Sequence, residues 1–281
     1  MVAMLRFRKP LLALVALAGV LTLACQGGGD DPVEYLAQPD AVLIQMLNVS
    51  GEPQPAIAGR LASPDFTLYG DGTLIFTRPD DDGRSRLLRA QLPGEAIVDL
   101  LQFINDEGFL NFSYAQPVPD QVDDAPTTYL YVNTNSGTNS TRALALDDAQ
   151  LENAGDEFDP FRRLQAIKQR LDELDPEALG GRLLGPYEPE EIALLVQPLV
   201  LSDPTEETPV WAVDGFDLDS TAPPGAGVVH TTFAVAEAAD LIETLPEGSF
   251  ARFRQGDRLF AVGYRPVLPF EEDRFPEFDF P

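Results

Sequence analysis

Histidine, cysteine and tryptophan each occur once in this 281-residue chain, and lysine occurs only at Lys9 and Lys168. A single cysteine leaves no intrachain disulfide to brace the fold. A single histidine, His230, argues against zinc sites built from several imidazoles. It also means that any histidine-based nucleophilic pair would have to be assembled around that one residue. His230 lies in the apolar, strand-like run Val228 to Phe233, where an imidazole is ordinarily just a strand residue. No Gly-x-Ser-x-Gly elbow, Ser-x-x-Lys pair or phosphate-cradling Gly-x-x-x-x-Gly-Lys is present. The glycines Gly27 to Gly29 have no strand before them, so nucleotide-type cofactors are not expected, and no other cofactor is implied. Cations are scarce as well: 19 Lys and Arg stand against 46 Asp and Glu, a formal charge of −27. A nucleic-acid partner needs a basic face and is therefore excluded.

Apolar residues are not scarce. They make up 44% of the chain, enough for a globular core in spite of the charge. The 25 prolines and 22 glycines imply many turns and short elements.

The first 25 residues follow their own pattern. Arg6, Arg8 and Lys9 form a positive stretch without an acid, and Leu11 to Ala24 continues as an uncharged apolar run that ends at Cys25. That order matches a secretory signal. Leu21-Thr22-Leu23-Ala24-Cys25 resembles the lipobox of bacterial lipoproteins, in which a small residue precedes a cysteine that is lipidated and becomes the mature N-terminus. The resemblance implies a signal peptide over residues 1–24, lipid attachment at Cys25, and a cell-membrane location facing the extracytoplasmic side. Stable anchoring takes more than one acyl chain, and the modification implied supplies at least two. Removing the leader takes away three cations and no acid, so the mature chain would carry −30, a charge repelled by an anionic lipid surface. Residues 25–40, which open with Gln26-Gly27-Gly28-Gly29-Asp30-Asp31-Pro32, read as a flexible tether.

The body reads as α+β: two small units of mostly antiparallel sheet with a few packed helices, over residues 41–176 and 187–269. In the first unit the expected elements are a strand over Ala41 to Val49 and a hairpin, Phe66–Tyr69 with Thr73–Thr77, around Gly70-Asp71-Gly72. A strand over Arg86 to Leu92 and a helix from Pro93-Gly94 to about Glu107 follow, the helix carrying Ile97, Leu100, Leu101 and Ile104 at helical spacing. Thr127–Val132 and Thr141–Leu146 form a second hairpin around the polar loop Asn133 to Ser140. Asp159 as N-cap and Pro160 at the first helical position open a helix whose stripe is Phe161, Leu164, Ile167, Leu171 and Leu174. The glycine-rich stretch Glu177 to Pro186 reads as the boundary.

In the second unit strands are expected at Ile192–Val196, Val210–Val213 and Gly227–Phe233, then a helix over Val235 to Leu245 and a hairpin of Phe250–Arg254 with Arg258–Tyr264. From Arg265 on, the chain alternates Pro, acids and Phe and is not expected to form a helix or a central strand. In the tail 270–281, Phe270, Phe275, Phe278 and Phe280 either pack back on the body or form a docking strip. Phe66–Gly72 and Phe260–Pro269 are similar to stretches in uncharacterised secreted proteins of GC-rich bacteria, a resemblance that implies no activity.

Two chemistries need no histidine. Paired carboxylates hydrolyse glycosides, and hard cations such as Ca²⁺ take several oxygens. The acid-rich candidates are Asp80-Asp81-Asp82, Asp123-Asp124 and Asp214, Asp217 and Asp219 in one short run, none with the register of an EF-hand. The Asn-x-Ser/Thr triplets at Asn48, Asn111 and Asn139 carry little meaning in a bacterial chain. The expectation is a lipid-anchored, non-enzymatic module that meets a protein, glycan or small ligand. A carboxylate-based surface hydrolase and a Ca²⁺-stabilised envelope protein are the alternatives.

Overall fold

The computed structural model describes residues 33–49, 56–80, 82–111, 125–147, 158–199, 208–245 and 247–271. Their architecture is α+β, built on two antiparallel sheets. The first has seven strands: β1 (Val42–Val49), β2 (Phe66–Tyr69), β3 (Thr73–Pro79), β4 (Ser85–Gln91), β5 (Thr127–Thr134), β6 (Gly137–Leu144) and β7 (Arg182–Pro186). Their spatial order is β6-β5-β1-β2-β3-β4-β7. One face carries Ile44, Met46, Leu68, Leu74, Phe76 and Ala90, and it packs against α2 (Gly94–Asp106) and α3 (Asp159–Asp172). The buried stripes of these helices, Ile97, Leu100, Leu101 and Ile104 on one and Phe161, Leu164, Ile167 and Leu171 on the other, fall at the three-and-four spacing that puts side chains on one helical face.

Several local expectations change. In the β5–β6 hairpin the strands run on to a two-residue turn at Asn135 and Ser136, so most of the polar loop Asn133 to Ser140 is strand. β6 is an edge, where Thr and Asn side chains can lie in solvent and still leave the backbone ladder intact. Thr138 Oγ1 donates to Asn133 Oδ1 at 2.9 Å across the pair. At the start of α3 the capping position belongs to Phe158 and the Asp159 side chain makes no capping bond; it forms an ion pair with Arg162 instead. The Glu177–Pro186 stretch, read as a boundary, contributes β7, which pairs with β4. The final part of the sequence-derived tether, residues 33–40, lies on the first sheet's core. Val33 and Tyr35 pack against it, and Asn135 N donates to Glu34 O at 3.0 Å. Gly70 permits this, since a Cβ there would fall 1.9 Å from Leu36 O. Residues 25–32, and with them Cys25, lie outside the described residues.

The second sheet consists of β8 (Glu191–Leu199), β9 (Val229–Ala234), β10 (Phe250–Gln255) and β11 (Arg258–Pro266), in the order β10-β11-β8-β9. Ile192, Leu194, Val196, Phe260 and Val262 form its larger core with α4 (Leu218–Thr221) and α5 (Ala239–Thr244). The expected helix over 235–245 divides into a 3-10 turn, Val235–Glu237, and α5. Val210–Val213 is not a strand: Val210 makes a single bridge to Arg254. Trp211 instead anchors a loop, its Nε1 donating to Phe216 O at 2.8 Å and its ring edge-on to Phe253 at 5.1 Å.

Two segments connect the sheets reciprocally. α1 (Ala56–Leu61), which has no counterpart in the sequence reading, follows β1 yet buries Ile57 and Leu61 against Ala193, Leu195 and Ala261 of the second sheet. Its start is held by Gln197, whose Oε1 accepts from Ile57 N at 3.0 Å. Conversely, Val267 to Glu271 leave β11 and cross to the first sheet, where Leu268 is buried with Tyr69 and Ile75. Arg265 and Pro266 were not expected in a central strand, yet they end β11 opposite Ala193 and Ile192. The proline is tolerated because it takes the last register position, and Val267 N donates to Glu191 O at 3.0 Å just beyond it. Phe270 packs back edge-on to Tyr69 at 6.1 Å, while Phe275, Phe278 and Phe280 lie outside the described residues.

Tyr69 and Tyr187 hold this strap by donating to Pro269 O at 2.9 Å and to Val267 O at 2.7 Å. Burial, with the nearby Glu271 charge, raises both phenols above their usual value of 10.0, Tyr187 to about 12. A raised phenol favours the folded state below the unfolded pKa, and this contribution fades as pH climbs toward the folded value. Thermal melts between pH 9 and 12 are therefore expected to show a falling midpoint from about pH 10, with a shallower fall in Tyr187→Phe.

Candidate functional site

The strongest candidate is a cleft of about 270 Å³ where β3 and β4 meet the C-terminal end of α3 and the turn after it. Strand alternation puts Leu74, Phe76 and Arg78 of β3 on the helix-covered face. Phe76 and Leu88 are cross-strand neighbours, and Leu174 and Leu183 complete an apolar wall. Arg78 closes one end. Its guanidinium lies 4.9 Å over the Phe76 ring and donates to Thr77 O at 2.9 Å and Leu174 O at 2.7 Å. Burial lowers its pKa, and the charges of Asp172 and Asp175 act in the other direction. The rim carries Asp172, Glu173, Asp175 and Glu177.

A polar network lies behind the cleft. The Asp65 carboxylate accepts from Asn48 N at 2.8 Å and from Asn48 Nδ2 at 2.9 Å, and Thr128 Oγ1 donates to Asn48 Oδ1 at 2.6 Å. Burial raises the Asp65 pKa, the two Asn48 bonds pull it down, and the charge of Asp172 adds to the rise. Lys168 bridges Asp172 at 2.7 Å and Asp147 at 3.2 Å. Desolvation lowers the pKa of this ammonium, but its two carboxylate partners outweigh that and leave it raised.

The residues singled out in the sequence are elsewhere and apart from one another. Cys25, Asp81, Asp123 and Asp124 lie outside the described residues. Asp80 closes the β3–β4 hairpin, accepting from Asp82 N at 2.9 Å and Arg84 N at 2.8 Å and pairing with Arg86 at 2.7 Å; these partners, led by the Arg84 amide, lower its pKa. Asp217 caps α4 by accepting from Asp219 N at 3.0 Å, and a bond from Gln255 leads the causes that lower its pKa. Asp219 pairs with Arg258, and Asp214 sits in the preceding turn. His230 lies opposite Leu195 on the edge strand β9, at an exposed position. Asn48 and Asn139 serve internal bonds, Asn139 Nδ2 donating to Phe109 O at 2.6 Å. Among the described residues, no group of three or more His, Cys, Asp or Glu is placed to hold a metal ion.

The cleft residues leave no joint signature in the sequence, since Asp175-Pro176 after the α3 stripe has the form of a simple helix stop. One signal was there. The partial negative charge at a helix C-terminus favours cations, and beside Arg170 in its last turn α3 ends in Asp172 and Glu173, with Asp175 and Glu177 close behind. No helix among the described residues is long and apolar enough to cross a membrane. No family model matches the chain, and no curated protein or solved structure matches it either.

Proposed function

We propose that the chain is a lipid-anchored extracytoplasmic protein that binds a ligand and does not transform it. The carrying observation is the N-terminal order of cations, uncharged apolar run and Ala24-Cys25, which resembles a lipoprotein signal in order, charge and spacing. The cleft beside α3 supports the binding half of the reading, since a preformed apolar wall with a charged rim suits recognition of a small molecule. Three of the acid-rich candidates support it too: Asp80 is engaged by its hairpin, Asp217 by its cap and Asp219 by Arg258.

Replacing Cys25 with serine tests the anchor. The Cys25→Ser protein is expected to fold with an unchanged melting midpoint, yet either leave the membrane fraction or retain its leader. A variant that is processed and retained like the wild type would refute the anchor.

A further inference from the structure

Among the described residues the two sheets end in four edge strands, β6 and β7 in the first, β10 and β9 in the second. An edge offers its outer N–H and C=O groups to any passing strand, and folds blunt it with charge, proline, bulges or cover. Three of the four are blunted. β7 opens with Arg182, bulges at Leu184 between the pairs Arg89–Gly185 and Ala90–Leu183, and ends in Pro186. β10 carries Arg252 and Arg254 and is covered by Pro209 to Trp211, with Arg254 N donating to Pro209 O and Trp211 N to Arg254 O, each at 2.9 Å. β6 carries Arg142, and its Asn139 is tied to the carbonyl of Phe109 in the 3-10 turn Phe109–Asn111.

Among the described residues β9 has none of these devices. Val229–Ala234 contains no Asp, Glu, Lys, Arg or Pro and pairs with β8 in unbroken register. Val235 N donates to Glu190 O at 3.0 Å, one step beyond that ladder. Antiparallel alternation then turns the backbone groups of Val229, Thr231 and Phe233 toward β8 and those of His230, Thr232 and Ala234 away from it. The side chains supply a second observation. Val229 and Phe233 pack on the larger core of this sheet yet are only half-buried at its rim, as is Phe216, whose ring meets Phe233 edge-on at 5.8 Å.

We infer that β9 is an interface with a second copy of this chain, the two strands pairing antiparallel about a two-fold axis at Thr232 and joining their four-stranded sheets into one. In that register the edge is complementary to itself. Thr232 meets the partner's Thr232, a favourable cross-strand pair, and His230 meets the small side chain of the partner's Ala234. Thr231 lies opposite the partner's Phe233, so the half-buried apolar rim of each copy covers that of the other. Charge selects the same place. Two copies of a chain with a formal charge of −27 meet acid against acid over most approaches, and along β9 no acid opposes another.

The test is disulfide capture. Across a hydrogen-bonded antiparallel pair the Cα atoms lie about 5.5 Å apart, within the span of a disulfide. The experiment uses the full-length chain with Cys25→Ser, which removes the native thiol, in non-ionic detergent and roughly 0.5 M NaCl, where charge is screened. Thr232→Cys is expected to oxidise to a covalent dimer, and Thr138→Cys, equally exposed on the edge strand β6, to stay monomeric. By light scattering the wild type is expected to be a dimer. Thr232→Lys, which sets like charges against each other at the axis, is expected to be a monomer with an unchanged melting midpoint. Association driven by the N-terminal leader or anchor would crosslink both positions alike and survive Thr232→Lys. Either of those results, or a wild type still monomeric at roughly 100 μM, would overturn the assignment.

Discussion

Glu271→Ala is expected to destabilise the protein by about 3–5 kcal/mol, the loss that follows when one partner of a buried ion pair is removed. The Arg265 and Glu271 side chains are only 3% and 8% exposed. The pair is bidentate, with Arg265 Nη2 donating to Glu271 Oε1 at 2.7 Å and Nη1 to Oε2 at 3.1 Å. Glu271 Oε2 also accepts from Leu268 N at 2.7 Å, and Arg265 Nη1 donates to Pro266 O at 3.0 Å. Truncating the glutamate thus takes the carboxylate from a buried guanidinium and opens the strap that carries Leu268 onto the first sheet. If desolvated charge causes the loss, a double variant, Arg265→Met/Glu271→Leu, should recover much of it, since apolar replacements of both partners restore packing without a buried charge that lacks its counter-ion. Urea denaturation of the three proteins decides the matter. A single variant within about 0.5 kcal/mol of the wild type would mean that water reaches the pair.

Gly263→Val is expected to cost about 3 kcal/mol or more, at the upper end of overpacking penalties. Gly263 lies in the central strand β11, between Leu195 and Phe250. A Cβ there would fall 2.2 Å from Ser249 O and 2.7 Å from Leu61 Cδ1. Leu61 can be trimmed but the Ser249 carbonyl belongs to the backbone, so adding Leu61→Ala to Gly263→Val should not restore wild-type stability. Full rescue would place the constraint in the leucine alone. The position has no backbone reason to be glycine, since its φ is not positive. Close approach of α1 and the Ser249 turn accounts for it.

Elements whose apolar period is unambiguous were legible in the chain. The stripes of α2 and α3, the β2–β3 turn and the β10–β11 hairpin are written in local spacing and turn chemistry, and they stand within a residue or two of where that spacing puts them. Other elements were hidden for identifiable reasons. β6 is an exposed edge with no need of apolar side chains. α1 is six residues long, and only tertiary burial of Ile57 and Leu61 sustains it. Pro266 ends a central strand because its ladder position is the last. The cleft was hidden for the same kind of reason. Phe76 and Leu183 are 107 positions apart, and their approach depends on β7 joining β4, a pairing no local pattern announces.

Residues 33–40 occupy one pole of the first sheet. The segment rests at Gly70 and Asn135, at the end of the first sheet where β3 begins, whereas Arg78 and the cleft lie where β3 ends, roughly 20 Å away along the strand. A ligand held in the cleft would therefore touch nothing that residues 33–40 cover.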